Sequence, residues 1–170
     1  GKYLFSAEYS GSWFEVFPIL SGGSVGPAVF QMQTLGNVDT SFRTKPATNA
    51  PPGSFAFSAH EGPNGHPHQM ESDPSNQWVV GADAGQDRIY VWKLMPGGSP
   101  LLTPAAIPFV NTPPGDGPRH FAFHPNGVWM YSIQEEASTI MFWEFDRTTG
   151  ALSAQQIIAS VPPGFVGTNF

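Results

Sequence analysis

The sequence predicts an all-β chain, about three four-stranded antiparallel blades of a β-propeller, open if alone. Three observations predict it. Blocks of residues recur at a constant spacing, strand-type residues cluster in short runs, and 19 glycines and 18 prolines punctuate the 170 residues. Gly and Pro at that density break the helical period. Without a strict Gly-x-y period they mark turns and not a collagen-like rod. With 40% hydrophobic and 14% aromatic residues, the chain has enough apolar side chains for a packed core.

The repeat comes first. Asp73-Pro74 is matched by His124-Pro125, Trp78 by Trp129, and Ile89-Tyr90-Val91-Trp92 by Ile140-Met141-Phe142-Trp143, each 51 positions apart with no gap. Each copy reads as an x-Pro turn, an apolar strand, a polar loop, a second apolar strand and a looser outer strand. Periods of roughly 40–50 residues are those of propeller blades. A third copy lies at the N-terminus. Tyr3-Leu4-Phe5 precedes Trp78-Val79-Val80 by 75 positions, and Phe14-Glu15-Val16-Phe17 precedes Ile89-Tyr90-Val91-Trp92 by the same offset. The surplus falls in residues 36–62, rich in Pro, Gly, Ser, Thr and Asn, which read as a long loop.

The chain therefore reads as one partial propeller over 1–170, with blade-like units at about 1–62, 63–114 and 115–170. Strands are expected around Asp87-Arg88-Ile89-Tyr90-Val91-Trp92 and from Thr139 to Phe145, both rich in β-branched and aromatic residues. Residues 151–158 read as the outer strand after the turn Asp146-Arg147-Thr148-Thr149-Gly150. Gly22-Gly23-Ser24 and Gly97-Gly98-Ser99 read as comparable turns. Trp78, Trp92, Trp129 and Trp143 hold equivalent places and are expected in the cores between blades. Three blades do not close a ring. The remaining blades must come from the same polypeptide or another chain, or the open faces lead to self-association.

Charge and composition narrow the partners. The formal net charge is −6, with seven Lys and Arg in all, which argues against a surface that tracks nucleic-acid phosphates. A small anionic ligand needs only one local basic group. The absence of cysteine excludes thiolate chemistry, disulfides and Cys-based zinc sites. No apolar run reaches the roughly 18 residues of a membrane span. The opening segment Gly1-Lys2-Tyr3-Leu4-Phe5 reads as part of a strand, and the last residues show no terminal element. The natural termini are expected to lie outside this chain, so cytoplasmic and secreted compartments both stay open.

Several residues could carry chemistry. His66-Pro67-His68 follows the Gly-containing residues 61–65 and precedes a strand. It reads either as a loop cap or as an acid/base or ligand pair. Two histidines around one proline are a weak metal signal. Gly117-Pro118-Arg119-His120 falls at the equivalent place, with His120 52 positions after His68. In a propeller the strand starting here is innermost, so both motifs should face one channel from adjacent blades. Arg119 offers a bidentate fork to carboxylate or phosphate. Glu135, 16 positions after Arg119, should return to the same end of its blade as a general acid/base, with Glu136 as its neighbouring alternative. The matching place in the preceding blade holds Asp83 and Ala84, and the first copy holds Glu8. Asp73 and His124 read as turn residues. Asp39, Asp87 and Asp116 lack metal-loop spacing, and no nucleotide-binding or nucleophile-elbow motif is present.

These motifs together resemble the seven-bladed lactonase propeller family, which includes propeller-type 6-phosphogluconolactonases and fungal 3-carboxy-cis,cis-muconate cyclases. The resemblance rests on His66-Pro67-His68, on the run from Gly117 through His124-Pro125-Asn126-Gly127, and on Tyr131 and Glu135. It extends to Thr149-Gly150-Ala151-Leu152, Pro162-Pro163-Gly164-Phe165, Tyr9, Phe14-Glu15-Val16-Phe17-Pro18 and residues 22–26. It implies seven four-stranded blades and a site in the central channel. His68 (or His66), Arg119 and Glu135 would be its catalytic residues, with His66, His120 and Arg119 in contact with ligand. It also implies a second arginine from a later blade, for which this chain has no counterpart, so the chain by itself is expected to be inactive. No cofactor and no metal are expected. The aromatic-rich, lysine-poor chain with its long Pro/Gly loop looks more like the fungal branch, which implies a cycloisomerase closing a lactone on a small polycarboxylate. The alternatives are hydrolysis of a phosphorylated sugar lactone and a non-catalytic secreted binding propeller.

Overall fold

A computed structural model describes residues 1–35 and 64–165. The loop expected over 36–62, and Asp39 with it, lies outside these residues. The described residues are strands and turns in three antiparallel sheets. The first holds β1 (Tyr3–Glu8), β2 (Trp13–Pro18) and β3 (Phe30–Gln33) in that order. The second holds β4 (Pro67–Ser72), β5 (Trp78–Asp83), β6 (Arg88–Leu94) and β7 (Leu102–Asn111). The third holds β8 (Pro118–Phe123), β9 (Trp129–Gln134), β10 (Thr139–Phe145) and β11 (Leu152–Ala159). Each sheet is a meander of sequential hairpins, the blade of a propeller. Among the described residues the first blade has three strands and no counterpart of β4 and β8.

The repeat is visible in the turns. The pairs Glu8–Trp13, Asp83–Arg88 and Gln134–Thr139 close equivalent hairpins. Each loop ends on a left-handed residue: Ser12 at φ 66°, Asp87 at φ 52° and Ser138 at φ 52°. Asp and Ser tolerate that conformation through local hydrogen bonding. Asp73 acts as a turn residue. Its carboxylate accepts the amides of Ser75, Gln77 and Trp78. In the next blade His124 Nδ1 accepts the Asn126 amide, and Asn126 Oδ1 accepts those of Val128 and Trp129.

Strand periodicity divides the core in two. On the central blade Trp78, Val80, Ala82, Ile89 and Val91 face the third blade, where Met130, Met141, Trp143 and Phe145 meet them. Val79, Tyr90, Trp92 and Leu94 face the first blade and pack on Phe14 and Val16. Successive strand side chains point to opposite faces, so a sheet covered on both sides reads as a continuous apolar run. That is why all of β5 is buried. Full burial of side chains such as Phe14, Ile89 and Met130 contributes about 1.5–3 kcal/mol each.

The third blade is covered on one face. Met130, Ser132 and Gln134 are buried, while Trp129, Tyr131 and Ile133 are 38–39% exposed. Trp129 lies on the face that none of these three blades covers. Its equivalents do bury, Trp78 to 5%, Trp92 to 3% and Trp143 to 1%. Trp78 Nε1 also donates to Arg147 O of the next blade at 2.9 Å. Trp129 has no such neighbour to meet.

Two outcomes follow from this packing. A chain of residues 1–170 alone should self-associate through the open face, and sedimentation showing a compact, cooperative monomer would refute this. At Gly81 an added Cβ would fall 2.7 Å from Phe14 Cε1 and 2.9 Å from Trp92 Cζ3, both in rings buried to 3% exposure or less. In the complete protein Gly81→Ala should cost about 1–3 kcal/mol through overpacking, read as a lowered midpoint in thermal or denaturant unfolding.

Candidate active site

β4 and β8 belong to different sheets, yet they run as neighbours. Gln69 joins them. Its Oε1 accepts the Phe121 amide at 2.8 Å, and its Nε2 donates to Phe121 O at 3.0 Å. One side-chain amide thus pairs with a backbone as a strand would. Beside this clamp both strands are irregular. The β4–β5 register shifts between Pro67 and Gln69, leaving His68 as the extra residue. The β8–β9 register shifts between Pro118 and Phe121, where Arg119 and His120 lie. A bulge turns side chains away from strict alternation, and here it does so at the candidate residues of both blades.

The side chains then converge. His68 Nε2 lies 3.4 Å from Glu135 Oε2, and Arg119 Nε lies 3.1 Å from the same oxygen. The arginine contact is a close ion pair, out of line for a full hydrogen bond. His120 stands edge-on to His68 with ring centroids 6.1 Å apart. Glu135 is mostly buried, and the Arg119 side chain is 39% exposed. Among the described residues no acceptor is bonded to the Arg119 Nη groups, so the outer edge of the guanidinium remains open to an anion.

The electrostatics follow from these contacts. The hydrogen bond from His68 holds the Glu135 carboxyl below its ordinary range; burial opposes this, and the charge of Arg119 adds to the lowering. Glu135 is therefore ionised at neutral pH, and His68 must present Nε2–H to it. Burial first, then the positive charge of Arg119, lowers the pKa of His120, which keeps that imidazole neutral at pH 7. The site holds one fixed cation and one fixed anion.

Backbone contacts fix Glu135 and the strand that carries Arg119. The Glu135 amide donates to Gly117 O at 2.9 Å. The Asp87 carboxylate accepts the amides of Gly115 and Gly117, each at 2.9 Å. Gly117 has φ 65°, a conformation that costs glycine little. Asp83 accepts the His66 amide at 2.7 Å. Burial raises the Asp83 pKa and the backbone donors oppose the rise.

His68, Arg119, His120 and Glu135 are brought together as the sequence suggests. His66 is not among them. It is 6% exposed, its Nδ1 lies 3.2 Å from Tyr9 O, and its ring packs on Tyr9 with centroids 4.5 Å apart. It supports the site from behind. Glu136 is likewise buried, its amide on Asp116 O, so Glu135 is the acid that meets His68 and Arg119. Gln69 and Asp87 carry no sequence signal for their roles. Among the described residues no cluster of three or more His, Asp or Glu side chains is arranged to hold a metal ion.

Comparison with known proteins agrees with this architecture. The family model for a seven-bladed β-propeller lactonase matches residues 1–170. A 6-phosphogluconolactonase of Pectobacterium carotovorum is 30% identical over 170 residues, all of this chain and 42% of that protein. One from Bacillus subtilis is 26% identical over 164 residues, 96% of this chain and 40% of that protein. Among solved structures, a periplasmic gluconolactonase of Pseudomonas aeruginosa superposes with a TM-score of 0.75 at 29% identity, over 97% of this chain and 41% of that one. The chain spans about two fifths of the length of the relatives it matches.

If His68 is what chiefly lowers the Glu135 pKa, then in the complete protein His68→Ala should raise it toward the ordinary carboxylate value. Carboxyl NMR titration reads this directly. A group with a depressed native pKa adds stability above its unfolded pKa and loses it as pH falls through the native one. The Glu135 contribution should therefore shrink in His68→Ala, and its acid loss should be complete at a higher pH. An unmoved titration would show that His68 does not set the charge of Glu135.

Proposed function

We propose that this chain, which belongs to the seven-bladed β-propeller lactonase family, carries part of the active site of a lactone hydrolase acting on an anionic sugar lactone. The observation that carries this reading is the single oxygen Glu135 Oε2, met from one blade by His68 and from its own blade by Arg119. A carboxylate kept ionised beside an arginine with an open outer edge suits the addition of water to an anionic ester.

In this reading the Arg119 Nη groups hold the anionic group of the substrate, a phosphate or a carboxylate. Glu135 takes a proton from water as its oxygen bonds to the lactone carbonyl carbon. The tetrahedral intermediate collapses with cleavage of the ring C–O bond, and the leaving alkoxide takes the proton back. The products are one hydroxyl and one carboxylic acid, which releases its proton to solvent as a carboxylate, with no net change at Glu135. His68 Nε2–H holds the carboxylate in place and stabilises its charge. General base catalysis of this kind is worth about 10²–10⁴-fold.

Hydrolysis displaces the cycloisomerase that composition favours, because the relatives described above are gluconolactonases. Composition is a weak guide here, since aromatic content reflects the inter-blade core more than the channel. A phosphorylated six-carbon aldonolactone is the substrate we propose, and the remaining blades of the ring are the partner that completes the site. Three blades of seven match the two-fifths share of the relatives.

The test is hydrolysis of a phosphorylated sugar δ-lactone by the complete protein, followed by pH-stat. Glu135→Gln should lower kcat by about 10²–10⁴-fold. Arg119→Ala should raise KM for the phosphorylated substrate far more than for its uncharged analogue, and Arg119→Lys should restore little, because lysine lacks the planar fork. Unchanged turnover in both variants would overturn the assignment. So would a wild-type protein that closes a lactone on a dienoic polycarboxylate and hydrolyses none.

A further inference from the structure

We infer that Tyr9 is a positioning residue of this site, the first blade's counterpart of Glu135, and that it holds His68 against the carboxylate. The inference rests on the lactonase reading for its catalytic consequence, but not for its geometry. Tyr9, Ala84 and Glu135 are the first residues after the equivalent closing pairs Glu8–Trp13, Asp83–Arg88 and Gln134–Thr139. The loops they open end on the left-handed residues Ser12, Asp87 and Ser138. The three positions are therefore one structural place in three consecutive blades.

That place carries three different side chains. In the third blade Glu135 reaches back to His68. In the first blade Tyr9 reaches forward to the same residue, with ring centroids 4.8 Å apart and planes at 62°. In the central blade Ala84 presents a methyl group, 2% exposed, with its amide on His66 O at 3.0 Å. His68 is thus met by its two neighbouring blades through the same position of the repeat, as a carboxylate from one and as an aromatic ring from the other.

Tyr9 acts through two contacts. Its ring packs on His66 and His68, and its carbonyl meets His66 Nδ1 at 3.2 Å. Aromatic pairs of this geometry favour an edge-to-face approach. The extra residue of a bulge lacks the ladder partner that holds an ordinary strand residue, so a packed ring supplies the restraint that the sheet does not. His68 then keeps Nε2 toward Glu135 and is barred from turning toward the first blade. The site is accordingly built from three consecutive blades.

The experiment uses the complete protein. Tyr9→Phe keeps the ring and should keep the His68 tautomer and the acid limb of the wild type. Tyr9→Leu keeps bulk without a planar ring and should lower kcat by about tenfold to a hundredfold, the scale of a small misplacement, with KM moved much less. The acid limb of the rate profile should shift upward as His68 loosens and the Glu135 pKa relaxes toward its ordinary value. In the ligand-free protein, nitrogen NMR of His68 should change from one Nε2–H tautomer to an averaged signal. If Tyr9→Leu does not fold, Tyr9→Met fills the same place with a flexible chain and serves instead. Tyr9→Leu or Tyr9→Met with a lower unfolding temperature but an unchanged His68 tautomer and acid limb would overturn the inference. If wild-type protein hydrolyses no lactone, the hydrolase reading fails while the tautomer measurement still decides the role of Tyr9.

Discussion

Each blade must be covered on both faces, and the rest of the structure follows from that constraint. A twisted antiparallel sheet whose two faces are apolar has no stable exposure to water on either side. The central blade meets the requirement through two separate cores, one made with Phe14 and Val16 and the other with Met130, Met141 and Trp143. The alternation of β5 and β6 assigns each side chain to one core or the other. Sheets packed in this way bring β4 and β8 into one neighbourhood, although the chain passes through three other strands between them. The site exists because stacking creates a seam, and a seam admits polar groups that the interior of a blade does not.

Charge at such a seam needs partners. A lone carboxylate taken largely out of water would raise its own pKa and neutralise. Glu135 avoids this because His68 and Arg119 meet one of its oxygens. The lowered pKa of His120 has the opposite origin. Burial and the nearby guanidinium both disfavour a second cation. Two imidazoles facing each other thus differ in role. His68 is tied to an anion, whereas His120 is a neutral ring beside the fork. Arg119 turns Nε to Glu135 and leaves its outer edge without an acceptor among the described residues, a division that lysine could not provide.

Much of this was legible in residue order. The gap-free offset between Trp78 and Trp129 identified the blades, and the same offset placed His68 and Arg119 at matching positions. Glu135 followed from a strand running out and back. What the sequence left open has physical reasons. Nothing in His66-Pro67-His68 tells which ring faces the channel, since strict alternation would put both on one face. Here Nδ1 of His66 binds a carbonyl from another blade, while the bulge re-aims His68. The choice between Glu135 and Glu136 depended on which one the hairpin loop turns inward. Gln69 looks like any polar strand residue until Phe121 lies opposite it. The exposure of Trp129 reflects which faces have neighbours, something no local pattern encodes.

The repeat supplies a scaffold, and chemistry enters where the repeat departs from itself. The offset of 51 turns His68 into Arg119, Gln69 into His120 and Ala84 into Glu135. Ala84 and Glu135 keep one backbone place, the first after the closing pair, while the side chain changes. Gln69 spends its amide on clamping two strands, whereas the imidazole of His120 packs toward His68. Three identical blades would place three identical groups around the channel. One kind of residue at all of those places cannot combine a cation, a carboxylate and an aromatic ring at one point. Divergence among equivalent positions is therefore what allows a ring of similar blades to carry a single, asymmetric site. The side chains that differ most between blades, and not those that agree, are the ones that meet around His68.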